Sequence, residues 1–173
     1  MAARPLIEAI GDYIERAGIA KTINYYQANA PPEAADGEIW AKTDSEEEQF
    51  YVFDNGTWRP LAPDEAVLAL EVMPARPVTI VTVVDTGGWA PDTDTPALEP
   101  TCQVRTRGPT FQVAHDLSWD VFDLLHGKND LPLGADYRVL SCFGIQSPMS
   151  MGRKDDGNSE FSVNFEFRLY RLG

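Results

Sequence analysis

Reactive side chains are scarce in this chain: two cysteines and two histidines in 173 residues. His115 and His126 fall eleven positions apart within one stretch of helical periodicity. That is roughly 16 Å along a helix axis, too far for both to hold one ion. No CxxC, HxxxH or HExxH spacing occurs, so no motif for a metal centre is present. Cys102 and Cys142 lie in two separate strand-like segments and read as small apolar core residues; nothing asks for a disulfide. No Gly-x-Ser-x-Gly elbow presents a nucleophile, and Cys142 sits inside a strand pattern. The chain has no apolar stretch near the ~20 residues that a bilayer-spanning helix needs. Its N-terminus shows no secretory signal pattern, so a soluble protein made in the cytoplasm is expected. Neither a cofactor nor an enzymatic activity is expected.

Positive charge is the second shortage. Fourteen Lys and Arg face 27 Asp and Glu, a net charge of −13. Ordinary nucleic-acid binding needs cations that displace counterions from phosphate, and is disfavoured. The imbalance is local, because residues 31 to 65 hold ten acidic and two basic side chains, leaving only −5 for the rest. With 43% hydrophobic residues the chain is otherwise an ordinary globular one.

Other chemical constellations are weak. Asp92, Asp94, Asp155 and Asp156 could pair for glycoside cleavage, yet all four lie in turn-like segments where Asp caps its own backbone. Gly87-Gly88 follows a strand with no helix signal after it, which suits a flexible or left-handed turn better than a phosphate cradle. Trp40, Tyr51, Phe53 and Trp58 could form a sugar platform, but a module of about 30 residues needs such rings for its own core.

What is present is periodicity. Residues 4 to 17 read as an amphipathic helix with Leu6, Ile10, Tyr13, Ile14 and Ala17 on one face and Gly18 beyond its end. Between Pro31-Pro32 and Pro63, short β-prone pieces around Glu38–Lys42, Gln49–Phe53 and Thr57–Arg59 suggest a small meander. Its Asn55-Gly56 turn is of the tight hairpin type, and Asp44–Glu48 reads as a solvated turn. Ala66–Glu71 is a short apolar patch. Val78–Val84 is apolar on both faces, as a central strand would be. Thr101–Arg107 alternates, with Cys102, Val104 and Thr106 on one side. Gly108-Pro109 opens the main helix, 109 to 126, whose buried stripe is assigned to Phe111, Ala114, Leu117, Ser118, Val121, Leu124 and Leu125. Asp136–Ile145 reads as a strand, and Phe161–Leu169 alternates most cleanly. Gln146–Ser159 reads as a long hairpin loop.

These elements predict an α+β fold: a four-stranded antiparallel sheet (78–84, 99–107, 137–145, 160–170) packed against helices, with a small β-rich insertion. Residues 1–30 and 64–173 are expected to form the main domain, and 31–63 an acidic β-hairpin-type module on the outer side or rim.

Several pieces, in order and spacing, resemble the tail-terminator (minor capsid, tail-completion) family of long-tailed bacteriophages and phage-derived particles. They are Met73-Pro74 before a β-branched strand, Asp85-Thr86-Gly87-Gly88, Gln103–Gly108 before a helix closing Asp123–Gly127, Gln146-Ser147-Pro148, Gly152-Arg153, and Glu160–Phe165. The likeness runs from about Leu68 to the C-terminus and includes the N-terminal helix; residues 20 to 66 depart from it. The resemblance implies a structural virion protein, a homohexameric ring that caps the tail tube protein and joins it to the head-tail connector or stopper. DNA would only pass through the lumen, and the particle would be assembled in the host cytoplasm. An acidic ring would repel that DNA, although net negative charge serves solubility equally well. Another neck or tail-completion protein is the nearest alternative, with a glycan-binding module or a virion-associated hydrolase further off. The assembly interface is expected at Met149, Met151, Arg153 and Lys154 in the long loop, together with Gly87, Gly88 and Trp89. A plain mobile loop is the alternative there.

Overall fold

The computed structural model describes residues 5–27, 29–43, 49–90, 94 and 96–172. The solvated turn expected at Asp44–Glu48, and Asp92, lie outside the described residues. In chain order the elements are α1 (Leu6–Arg16), β1 (Lys21–Gln27), β2 (Ile39–Lys42), β3 (Gln49–Asp54), β4 (Thr57–Pro60), β5 (Val67–Leu70) and β6 (Ile80–Trp89). Then come β7 (Glu99–Gly108), α2 (Phe111–Leu125), β8 (Lys128–Leu133), β9 (Tyr137–Gly144), β10 (Met149–Arg153) and β11 (Ser159–Arg171).

The α+β expectation is overturned. Among the described residues, eleven strands make one mixed sheet in the order β4-β3-β2-β1-β5-β6-β7-β11-β9-β8, with β10 beside β11, and only two short helices accompany it. The four expected strands are antiparallel neighbours, as β6, β7, β11 and β9, but they are the middle of the sheet and not its whole. The sheet widens because β1 pairs in parallel with both β5 and β2, and β5 in parallel with β6. Parallel partners come from distant sequence and leave no hairpin signal between them.

Local chemistry explains the elements that were legible. Thr110 caps α2 by accepting a bond from Val113 N at 3.2 Å, and Gly127, at φ 70, lies just past its end. Asn55 and Gly56, at φ 49 and 80, turn β3 into β4 through the two-residue loop that such residues favour. Both helices cover one face of the sheet. There Ile10 and Ile14 of α1, and Val121 and Leu125 of α2, join Val83, Val104, Val163, Phe165, Phe167 and Leu169 in the main core. Two helix assignments change. Phe111 is exposed, not part of the buried stripe, and Ala17 is exposed beyond α1.

The β2–β4 meander has a shared inner face. Ile39 and Val52 pack against Val67 and Ile80 of the main sheet in a second apolar cluster. On its other side Trp40 stacks on Tyr51 at 4.9 Å, with Trp58 edge-on to Trp40 and Phe53. Arg107, only 5% exposed, secures the crossover from β5 to β6 from beneath. Its Nε donates to the Val78 carbonyl at 3.2 Å, and its Nη2 faces those of Pro74, Ala75 and Pro77 at 2.7–2.8 Å.

The long loop expected at Gln146–Ser159 also needs correction. Residues 149–153 are β10, antiparallel to β11 and continuing the line of β9 along it after a break at 145–148. The turn proper is only Lys154–Asn158, closed by Lys154 N donating to the Asn158 carbonyl at 2.8 Å. Gly144 and Pro148 interrupt the strand pattern, which hid its continuation.

Candidate assembly surfaces

Groups that could do chemistry are committed to structure. Cys102 and Cys142 are buried and unpaired, and burial pushes both thiols up, Cys142 to about 12. A thiol held protonated is a poor nucleophile. His126 accepts a bond from Gly144 N at its Nδ1, 3.0 Å away, and lies flat on Phe122 with ring centroids 4.5 Å apart. His115 Nδ1 is 2.9 Å from Asp116 Oδ1. Asp156 caps its turn, held below the usual carboxylate range by bonds from Asn158 N and Nδ2. Among the described residues no group of three His, Cys, Asp or Glu could hold a metal ion. An open cleft of about 250 Å³ lies between the meander and the main sheet, lined by Phe50, Leu61, Pro63, Glu65, Pro77 and Thr79 among others. Its carboxylate, Glu65, is engaged by Arg59 at 2.7 and 2.8 Å, which lowers its pKa.

The seven residues expected at the assembly interface fall at two places. Gly87, Gly88 and Trp89 end β6, opposite the start of β7. Gly88 pairs with Pro100 so closely that a Cβ there would come within 2.4 Å of the Glu99 carbonyl oxygen, and only glycine fits. Gly87 N donates to Asp85 Oδ1 at 2.7 Å within the bulge that aims Trp89 outward, 69% exposed. Met149, Met151, Arg153 and Lys154 lie beside the first residues of β11, which pair with the far end of β7. Nine residue steps along β7 separate the two places, roughly 30 Å at the rise of a strand. The two cations of that set are engaged within the chain. Arg153 Nε donates to the Gly157 carbonyl at 2.7 Å. Lys154 Nζ is 3.3 Å from Glu160 Oε2, a nearly buried carboxylate oxygen that also receives Arg105 Nη2 at 3.0 Å.

A surface that was not anticipated lies along α2. Phe111, His115, Trp119, Phe122 and His126 form a ladder of rings, each pair of neighbours 4.5–6.2 Å apart. Phe111 and Trp119 are exposed. The spacing of three and four residues was the available signal, offset around the helix from the buried Leu and Val stripe. Phe111 also lines a groove of about 360 Å³ with Pro109, Arg153 and Gly157, so the start of α2 and the β10–β11 turn share one end of the molecule.

No helix among the described residues is long and apolar enough to cross a membrane. No curated protein matches the chain. A chain from the virion of a native gene transfer agent (GTA) particle is similar in structure, with 17% identity and a TM-score of 0.43, over 58% of this chain and 77% of that one. The family described as "Bacteriophage tail terminator protein" matches residues 53–171, from the last strands of the meander through β11. With more than half its length matched, the chain belongs to the bacteriophage tail terminator family and is a structural protein of a phage-type virion tail.

Proposed function

We propose that the protein closes the phage tail tube as a homohexameric ring, stops tube growth, and offers its other end to the head-tail connector. Its part in this reading is structural and not enzymatic. The observation that carries it is the placement of two exposed apolar ends at opposite ends of the same strands. Trp89 marks one, and Phe111, beside the polar Lys154–Asn158 turn, marks the other. A terminator must bind two different neighbours along one axis, and rigid strands roughly 30 Å long hold two docking ends at fixed separation. The acidity of the chain keeps passing DNA from adhering, since like charge does not condense on phosphate.

The test uses purified tube protein polymerising with and without this chain, followed by tube lengths in electron micrographs. The chain should shorten tubes and leave them blunt at one end. Trp89→Ser and Phe111→Ser should each remove a different activity, one tube capping and the other connector binding. Tubes of unchanged length in the presence of the wild-type chain would refute the reading.

A further inference from the structure

Residues three and four apart on a helix are neighbours, and like charges placed so weaken it. Asp116, Asp120 and Asp123 are spaced in this way along α2, and all three are exposed. No Lys or Arg occurs in α2. Asp116 takes its bonds from Gln112 and His115 of the same helix. Asp120 and Asp123 enter no ion pair or hydrogen bond among the described residues. Burial, then repulsion from Asp116 and Asp123, pushes the Asp120 carboxyl above its ordinary value. Asp123 also stands in the last turn, where the helix dipole favours cations. Each placement works against the helix, so the fold alone does not account for them.

The carboxylates border the ring ladder. Trp119 follows Asp116 by three residues and precedes Asp123 by four, so it is the helical neighbour of both. Trp119 and Phe111 are 36% and 57% exposed. A bare aromatic face attracts Lys or Arg, and the carboxylates beside it attract the same groups. We propose that this face of α2 docks a cationic segment of another virion subunit, with Lys or Arg spread over roughly 10 Å and a large apolar side chain among them. The same carboxylates repel nucleic-acid phosphate and an anionic lipid surface. Pairing of α2 with the α2 of a second copy would set like charges against each other. The inference rests on the docking reading of the proposed function, in which Phe111 marks one end, and gives the chemistry of the neighbour that meets it.

The first test offers the full chain a labelled synthetic peptide of Leu and Lys in amphipathic helical order, read by fluorescence anisotropy. It should bind, and a Leu and Glu peptide of the same pattern should not. Asp120→Asn with Asp123→Asn should weaken binding about tenfold or more at an unchanged or higher Tm, because repulsion is relieved. A lower Tm would make the carboxylates structural and overturn the proposal. Asp36→Asn with Asp64→Asn removes as much charge from exposed sites outside α2 and should alter binding less than about twofold. An equal loss there would mean general attraction to an acidic chain, and also overturns it. For the natural partner, a benzophenone is attached at Gln112→Cys, an exposed position between the rings and the carboxylates; both native thiols are buried. Irradiated with purified tube protein and with connector protein, it should mark one of them at a segment holding Lys or Arg. A mark on another copy of this chain, on a segment without cations, or on neither protein while tubes are still capped, overturns this inference alone. A wild-type chain that leaves tube length unchanged refutes the capping reading, and the peptide measurement still decides the chemistry of this face.

Discussion

Replacing Arg107 by Met tests whether the crossover between β5 and β6 is held by one guanidinium. Methionine keeps an apolar stem of similar length but donates nothing to the carbonyls of Pro74, Ala75, Pro77 and Val78. Nη2 has two hydrogens for three carbonyls, so Nε and Nη2 together supply three donors to four acceptors. Hydrogen bonds from a charged donor are worth about 1.5–3 kcal/mol each, and the carbonyls freed by the change recover part of that from water. Burial already works against the charge, lowering the Arg107 pKa, which reduces the net gain further. The balance is a loss of about 3–5 kcal/mol, three bonds from a charged donor less what water and the relief of burying the charge return. For a chain of this size that corresponds to a Tm lower by roughly 6–20 °C. Arg107→Lys should fall between wild type and Met, because a single ammonium cannot reach carbonyls spread along five residues. The assay is thermal unfolding by circular dichroism, with the ring population measured well below the transition. A Met variant melting within about 3 °C of wild type would show that the crossover holds itself and that Arg107 is incidental.

Four further outcomes follow from the packing. Val121→Ala, at a fully buried site in the middle of α2, should cost about 1–3 kcal/mol without altering assembly of the folded fraction. Loss of assembly at unchanged Tm would place that helix face elsewhere. Cys102 and Cys142 should not react with a thiol reagent at neutral pH in the native protein, and two thiols should titrate after denaturation. Glu65, held below its usual 4.5 by Arg59, contributes stability that is present above that value and lost as pH falls through its lowered pKa. In Glu65→Gln the difference in Tm from wild type should therefore shrink as pH falls below 4.5. Deleting 31–63 across a short Gly/Ser linker uncovers Val67 and Ile80, so the remainder should still melt cooperatively but with about 3–6 kcal/mol less stability. An insoluble or molten product would make the meander part of the core.

Legibility followed the length of each pattern. β11 runs thirteen residues with Phe161 to Leu169 alternating, and α2 runs fifteen with a Leu and Val stripe, so both were readable in the sequence. Four-residue strands such as Val67–Leu70 are too short to show a period, and β1 finds its partners only through parallel pairing with β2 and β5. Proline and charge disguised β8, and Pro148 with Gly152 disguised β10. Missing those strands turned a wide mixed sheet into a four-stranded one. The same omission placed Met149 and Met151 on a loop when they belong to an open edge. Residues Gly87–Trp89 were named for the assembly interface together with the β10–β11 residues, but strand register, invisible in one sequence, sets them roughly 30 Å from that turn. The aromatic ladder of α2 escaped notice because Phe111 was counted with the buried stripe, whereas it stands exposed with its ring edge-on to Phe161.

On the proposed reading one subunit spans the junction between tail tube and connector, with Trp89 exposed at one end and Phe111 at the other. A cryo-electron microscopy reconstruction of tubes capped by this chain measures it directly. Six copies should sit on the last tube layer, with the long strands of the sheet running close to the tube axis. Trp89 and Phe111 should then lie on opposite axial faces, one of them against the tube. A cap in which both ends point the same way, or in which neither touches the tube, would contradict it.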